Sequence, residues 1–305
     1  MFYPSGLFRR KALAALKGHW QPALLVALIV NLPTMLMQGF SAFTGNDVLT
    51  RLQSVMVTAA RDGVLSQSVL LKEIDALTAS TGFWTIRGLE ILALLVTPCL
   101  TLGMYKWLMD LLRGQEQPVM SVFSRMRLFL KAIGLQLLVI LKILLWMLPG
   151  IAVMTAAVIW PLMQAGNAQA QLAALQQSQN FTFPILLLMA VPGVIAALRY
   201  ALSEYILAVK PETKITACIR RSKELMNGQK KSLFFLAFSF LLWYLLEILV
   251  ASMLSGVLSL IVQMLAGLAI DVWMAASVSA FYLRLEEAAE KHEDPNAEPA
   301  PEQLN

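Results

Sequence analysis

Charge is scarce in this sequence, and its scarcity excludes most soluble folds. Only 14% of the residues are charged and 58% are apolar, with a mean hydropathy of +0.67. A soluble globular domain carries about a quarter charged residues and could not hide this much apolar side chain from water. Lipid is therefore the expected solvent. Histidine and cysteine are nearly absent too: the chain has only His19, His292, Cys99 and Cys218. His19 stands at the edge of an apolar run and His292 in a polar tail, so neither a histidine-built metal site nor a catalytic dyad is expected. Cys99 and Cys218 lack ligand-type neighbours at useful spacing and read as packing residues. The sequence also has no Walker loop, no HExxH, no GxSxG and no carboxylates at metal spacing. Expected catalytic residues are none, expected metals and cofactors are none, and the chain is not expected to be an enzyme.

What the chain does have is long apolar runs. The first lies at about Pro22 to Phe43, interrupted by Asn31 and Pro33. At about 22 residues it exceeds the 7–15 of a cleaved signal's apolar region, so it reads as an uncleaved anchor and first span. Span two runs from about Trp84 to Leu108, bracketed by Trp84 and Trp107 as interface aromatics. Leu128 to Leu162 follows, roughly 52 Å if fully helical, too long for one upright span and too short for two. Pro149-Gly150 is expected to bend or break it, leaving either one bent helix or a span plus a re-entrant segment. Span four covers about Phe183 to Val209 with a second expected break at Pro192-Gly193. Spans five (Ser232 to Leu254) and six (Val257 to Leu283) are joined by a minimal turn at Ser255-Gly256.

Basic residues collect beside alternate runs. Arg9, Arg10 and Lys11, then Arg113, Arg125 and Arg127, then Lys214, Arg220, Arg221, Lys230 and Lys231 fall on one side of a six-span arrangement. On the other side Arg51, Arg61 and Lys72 are balanced by Asp47, Asp62, Glu73 and Asp75. The positive-inside rule makes the first side, and both termini, cytoplasmic. The expected fold is thus all-α: a polytopic transmembrane helical bundle of about six spans, with a short amphipathic cytoplasmic helix between spans four and five. One transmembrane domain is expected over residues 1–286, with an external helical loop at 44–83 and an external loop at 164–182. A basic cytoplasmic helix is expected at 210–231, closed by Gly228, and a disordered acidic tail at 287–305. Residues Ser5 to Trp20 read either as an amphipathic helix on an anionic leaflet or as the basic flank of span one.

Ionisable residues inside spans are candidates for function, because each is expensive in lipid unless paired or hydrated. Five stand out: Lys142, Arg199, Glu204, Glu247 and Asp271. Lys142 and Asp271 each lie about 14 residues into their spans, so a pairing between them is expected, either to couple proton movement or to lock two helices. Arg87 and Glu90, one turn apart, are expected to pair at the edge of span two.

The segment VPGVIAALRYALSEYILAVKPETKITACIRRSKELMNGQKKSLFFLAFSFLLW, Val191 to Trp243, resembles a bacterial integral-membrane family catalogued as domain of unknown function 975. The resemblance rests on Pro192, Gly193, Tyr200, Ser222, Lys223, Met226, Gly228, Lys230, Phe234, Ser239, Phe240, Trp243, Phe281 and Tyr282, and on ALAALKGHW at Ala12 to Trp20. More distantly, the architecture is similar to the YciC-type inner-membrane proteins. Val209 departs from a frequent Asp of the family, and Leu148 to Ile151 with the Gln-rich stretch after it looks like an extra segment. The resemblance implies a membrane fold in the bacterial cytoplasmic (inner) membrane and no activity. The functional expectation is a non-catalytic inner-membrane protein that binds or transports lipid or another small amphiphile through its Pro-Gly-broken helices. The alternative is an accessory subunit that stabilises or regulates a partner membrane complex. Expected partners are the bilayer, anionic lipid headgroups, and a membrane-protein partner or second copy of the chain; nucleic acid is not one.

Overall fold

The computed structural model describes residues 4–44, 79, 81–164 and 168–293, and among them every regular element is helical. Helix α1 (Ser5–Leu16) leads through a turn into α2 (Trp20–Thr44), and α3 spans Thr81–Leu112. A 3-10 segment, Val119–Leu128, enters α4 (Phe129–Met154), which continues through a π turn at Thr155–Ile159 into α5 (Trp160–Gln164). Helix α6 (Ala168–Tyr200), the short α7 (Ser203–Val209) and α8 (Ile215–Leu225) precede the last pair, α9 (Lys230–Ser252) and α10 (Gly256–Glu293). Among the described residues six helices are long and apolar enough to cross a membrane. They fall on the six expected runs. Gly228 and Gly256 take φ of +77° and +62° in the two turns that flank α9, a backbone region nearly closed to side-chain-bearing residues.

The chain groups into two compact units. One holds Met1–Val30, Pro98–Gln136 and Leu198–Asn305; the other holds Asn31–Thr97 and Leu137–Ala197. In the first, α1 packs its buried stripe of Phe8, Ala12 and Leu16 onto α10 and α9. The Phe8 and Phe281 rings meet edge-on at 5.2 Å, and the Trp273 indole donates to the Arg9 carbonyl at 3.2 Å. The N-terminal segment is a helix whose stripe, spaced at four residues, docks on protein by one face. The 3-10 segment lies on α3 at Gly103, where an added Cβ would collide with the Val122 backbone. Cys99 supports the same contact by donating to the Arg125 carbonyl at 3.3 Å.

In the second unit the two Pro-Gly motifs act differently from what their sequence suggests. Neither breaks its helix: α4 runs through Pro149 and α6 through Pro184 and Pro192. Each glycine instead makes a notch for a methionine of the other helix. A Cβ on Gly150 would stand 2.9 Å from the backbone of Met189, and one on Gly193 would stand 3.2 Å from Met147 Cγ. The contacts are reciprocal and antiparallel. Proline removes one donor from each helix, which is tolerable in a span whose neighbouring turns can adjust. Further along α4 comes the π turn, entered by Thr155, whose hydroxyl donates to the Ile151 carbonyl at 2.9 Å. The stretch from Leu128 to Leu162 is therefore continuously helical.

Three expectations about connections need correction. Residues 168–182, read as part of an external loop, are the first turns of α6, because Ala, Gln and Leu are strong helix formers and no Gly or Pro occurs before Pro184. The acidic tail does not start at residue 287, since α10 continues to Glu293 through helix-favouring Glu, Ala and Lys. Gly228 sits in the turn after α8, whose last helical residue is Leu225. Most of the 44–83 loop, with its two expected helical stretches, lies outside the described residues, as does the tail beyond 293.

Substituting Gly150 with Ala should lower stability by about 1–3 kcal/mol, the usual effect of overpacking a close contact. Gly88→Ala, where a Cβ meets nothing within 4 Å, should be neutral or mildly stabilising. Thermal unfolding of the two variants in the same detergent distinguishes a packing notch from a flexible break.

Candidate functional site

The real interruption of a span lies after Tyr200, where α6 stops and Ala201-Leu202 turn before α7 begins. A break there frees a carbonyl and an amide that lipid cannot satisfy. Ser222 on α8 meets both. Its hydroxyl donates to the Arg199 carbonyl at 3.1 Å and accepts from the Leu202 amide at 3.2 Å. Ser222 is fully buried, together with Cys218, Ile219, Leu225 and Met226 on the same side of α8. Arg220, Lys223 and Glu224 remain exposed on the other. Burial pushes the Cys218 thiol up from its ordinary range, which makes it a poor nucleophile.

Around α7 the core is unusually rich in tyrosine. Tyr105 of α3 stacks on Tyr205 at 4.0 Å, and Tyr205 lies 6.1 Å from Tyr282 of α10. Half-buried Glu204 adjoins this stack, and Lys210 at the end of α7 pairs with Glu286 of α10 at 2.7 Å. Lys106 pairs with buried Asp110 one turn along α3. The tyrosine stack joins α3 to α7, and the Lys210–Glu286 pair ties the end of α7 to α10.

Between α9 and α10 a second polar site lies deeper in the spans. The Tyr244 hydroxyl donates to Asp271 Oδ1 at 2.6 Å. One turn further along α9, Glu247 reaches Gly267, with Oε1 3.6 Å from where a Cβ would be. Phe240 and Trp243 meet the Trp273 ring at 5.0 and 5.4 Å on the other flank. Tyr244 was not among the expected functional residues: it stands 11 residues before Ser255 while Asp271 stands 15 after Gly256, so the hairpin turn alone does not mark them as a pair.

The expected site residues thus separate. Glu204, Glu247 and Asp271 lie in the first unit within the polar contacts just described, and Arg199 lies there with its carbonyl held by Ser222. Lys142 is half-buried in the second unit, and in the first unit Asp271 accepts from Tyr244. Arg87 and Glu90 do pair, at 2.6 Å. Of the expected cytoplasmic motif, Ser222 and Met226 are buried and structural, Gly228 makes the turn, and Lys223 is exposed with Lys230 half-buried. Pro149, Gly150, Pro192 and Gly193 form packing notches. Among the described residues no three His, Cys, Asp or Glu side chains converge on a common point.

Six helices long and apolar enough to cross a membrane, among the described residues, fit a multi-pass membrane protein. A family model described as "Protein of unknown function (DUF975)" matches residues 1–289, and the chain belongs to that family. The match takes in Leu148 to Asn180, the stretch that looked like an extra segment. No curated protein and no solved structure matches the chain.

Two expected outcomes follow. Tyr244→Phe should cost about 1–3 kcal/mol, because it leaves the Asp271 carboxyl without its donor. Combining it with Asp271→Leu should recover part of that loss, as read from a double-mutant cycle in detergent. The second concerns His19, which meets Glu116 at 2.9 Å at the turn between α1 and α2. The Glu116 hydrogen bond raises the imidazole above its ordinary 6.5. The pair's contribution is therefore complete below about pH 6.5 and disappears as pH climbs through the raised folded value. His19→Gln should flatten the melting temperature against pH in that window, by a small amount because the pair is solvent-exposed.

Proposed function

We propose that the protein is a non-catalytic, multi-pass component of the bacterial cytoplasmic (inner) membrane that binds lipid at its basic, cytoplasmic end. One observation carries the reading. Helix α1 is fixed by Phe8, Ala12 and Leu16 against α9 and α10, while Arg10 and Lys11 stay exposed alongside Leu7 and Leu13. A half-sunk basic helix of this kind suits the boundary between anionic headgroups and acyl chains. The exposed Arg220 and Lys223 of α8 extend the same charge. Transport through broken helices loses its support, since the Pro-Gly motifs are filled notches. Two shallow open grooves among the described residues, of about 420 and 200 Å³, are lined by none of Lys142, Arg199 and Asp271.

A second reading, an accessory subunit, is favoured by α4. Leu137, Leu141, Leu144 and Leu148 are all exposed and alternate at four and three residues, the spacing of a helix–helix seam. Cross-linking from a cysteine at position 141 in native membranes would capture a defined partner if this reading holds, and lipid alone if it does not.

For the lipid reading, the protein is embedded in nanodiscs of equal phosphatidylglycerol and phosphatidylcholine and its retained lipids are weighed by native mass spectrometry. Anionic lipid should be retained preferentially. A combined Arg10→Gln, Lys11→Gln, Lys223→Gln variant should lose most of that preference, since each basic residue near an anionic surface contributes about 1 kcal/mol. Equal retention of both lipids by the wild-type chain contradicts the reading.

A further inference from the structure

The 10 residues Val119–Leu128 form a 3-10 helix, long for its kind. Three residues per turn set side chains i and i+3 one above the other, so the segment has three rows about 20 Å long. The first row, Val119, Val122, Arg125 and Leu128, faces protein. Val122 is fully buried where its backbone crosses Gly103, and the other three are half-buried. Met120, Phe123 and Met126 make the second row, and they are 69%, 41% and 37% exposed. The third row is polar, with half-buried Ser121 and exposed Ser124 and Arg127.

Both ends of the segment are anchored, so the direction of each row is set. Before it the Trp107 indole donates to the Gln117 carbonyl at 3.0 Å, and after it Lys131 Nζ donates to the Pro211 carbonyl at 2.8 Å. Cys99 holds the middle through the Arg125 carbonyl. Four residues beyond Met126, Leu130 is 81% exposed at the start of α4, in the stripe that the span continues with Leu137 and Leu141. Charge has one sign here: from Val119 to Lys131 the chain has Arg125, Arg127 and Lys131 and no acid. In water the second row would leave three large apolar side chains hydrated. At the edge of a bilayer it meets acyl chains, and the polar row beside it meets headgroups.

We infer that the 3-10 segment is a membrane-surface element, whose Met120, Phe123 and Met126 lie among the acyl chains of an anionic leaflet and whose Arg127 meets the headgroup phosphates. The inference rests on the lipid reading above for the charge of that leaflet, and it adds a second contact with the leaflet besides α1. A zwitterionic headgroup offers the same phosphate with an ammonium beside it, so three cations without an acid select for net negative charge.

The test uses the full chain in vesicles of equal phosphatidylglycerol and phosphatidylcholine, with single cysteines that carry a nitroxide. Both native cysteines are buried, so the wild-type chain should take up little label. Oxygen, which concentrates among acyl chains, should collide most with labels at Met120→Cys, Phe123→Cys and Met126→Cys. A water-soluble nickel chelate should favour Ser124→Cys and Arg127→Cys, which gives a period of three along the segment. All five positions are exposed, so the melting temperature should not change. With a bimane fluorophore at Phe123→Cys, phosphatidylglycerol bearing a nitroxide on its acyl chain should quench more than its phosphatidylcholine counterpart. Arg127→Gln should lower that preference about fivefold. Nickel chelate reaching Phe123→Cys and Ser124→Cys alike overturns the proposal. So does a label at Phe123→Cys that neither reagent reaches, which would mean a second copy covers the row, and so does equal quenching by the two lipids. If the proposal fails while native mass spectrometry still finds preferential anionic lipid, the segment is misplaced and the wider reading stands. If that preference is absent too, both fall.

Discussion

A membrane-spanning backbone must satisfy its own amides and carbonyls, because the hydrocarbon around it offers nothing in return. In this protein that demand falls hardest on the turn between α6 and α7, where the span lets go of the Arg199 carbonyl and the Leu202 amide. Ser222 takes up both from a helix about twenty residues further along the chain. Much of the first unit follows from that link. It fixes the face of α8 that is buried, and so fixes Arg220 and Lys223 as the residues that remain outside. It also holds α7 where Tyr205 can stack on Tyr105 and where Lys210 can reach Glu286. The motif around Ser222 thus combines an inward structural half with an outward basic half, on opposite sides of one short helix.

The second unit solves a related problem by close packing. Without a hydrophobic drive between helices in lipid, association relies on backbone approach at small residues. Gly150 and Gly193 supply that approach in mirror fashion, each receiving a methionine from the other helix. Methionine suits the role because its unbranched, flexible side chain can fill an irregular notch. Both helices run on through the prolines beside them.

Much of this was legible in the sequence, and the parts that were not share a cause. The six spans could be read because hydropathy over some twenty residues is a local property. The amphipathic α8 and its turn at Gly228 were also visible, from periodicity and one glycine. The Pro-Gly motifs were misread because a notch and a break have the same local sequence, and only the position of Met189 or Met147 tells them apart. Residues 168–182 have the uncharged polar composition of a loop, yet their Ala, Gln and Leu favour the helix that forms. The roles of Gly103, Ser222 and Tyr205 depend on contacts between distant segments and leave no local mark. Tyr244 with Asp271 belongs with them, since the hairpin turn brings the two helices together without setting that register.

The central claim is that Ser222 seals the interrupted span and thereby fixes α8 and its basic face. Hydrogen–deuterium exchange at the α6–α7 junction, in wild type and in Ser222→Ala, measures it directly. The Leu202 amide should be protected in the wild-type chain and should exchange markedly faster in the variant, while the amides of α9 keep their protection. Unchanged exchange at Leu202, or equal loss of protection along α9, would contradict it.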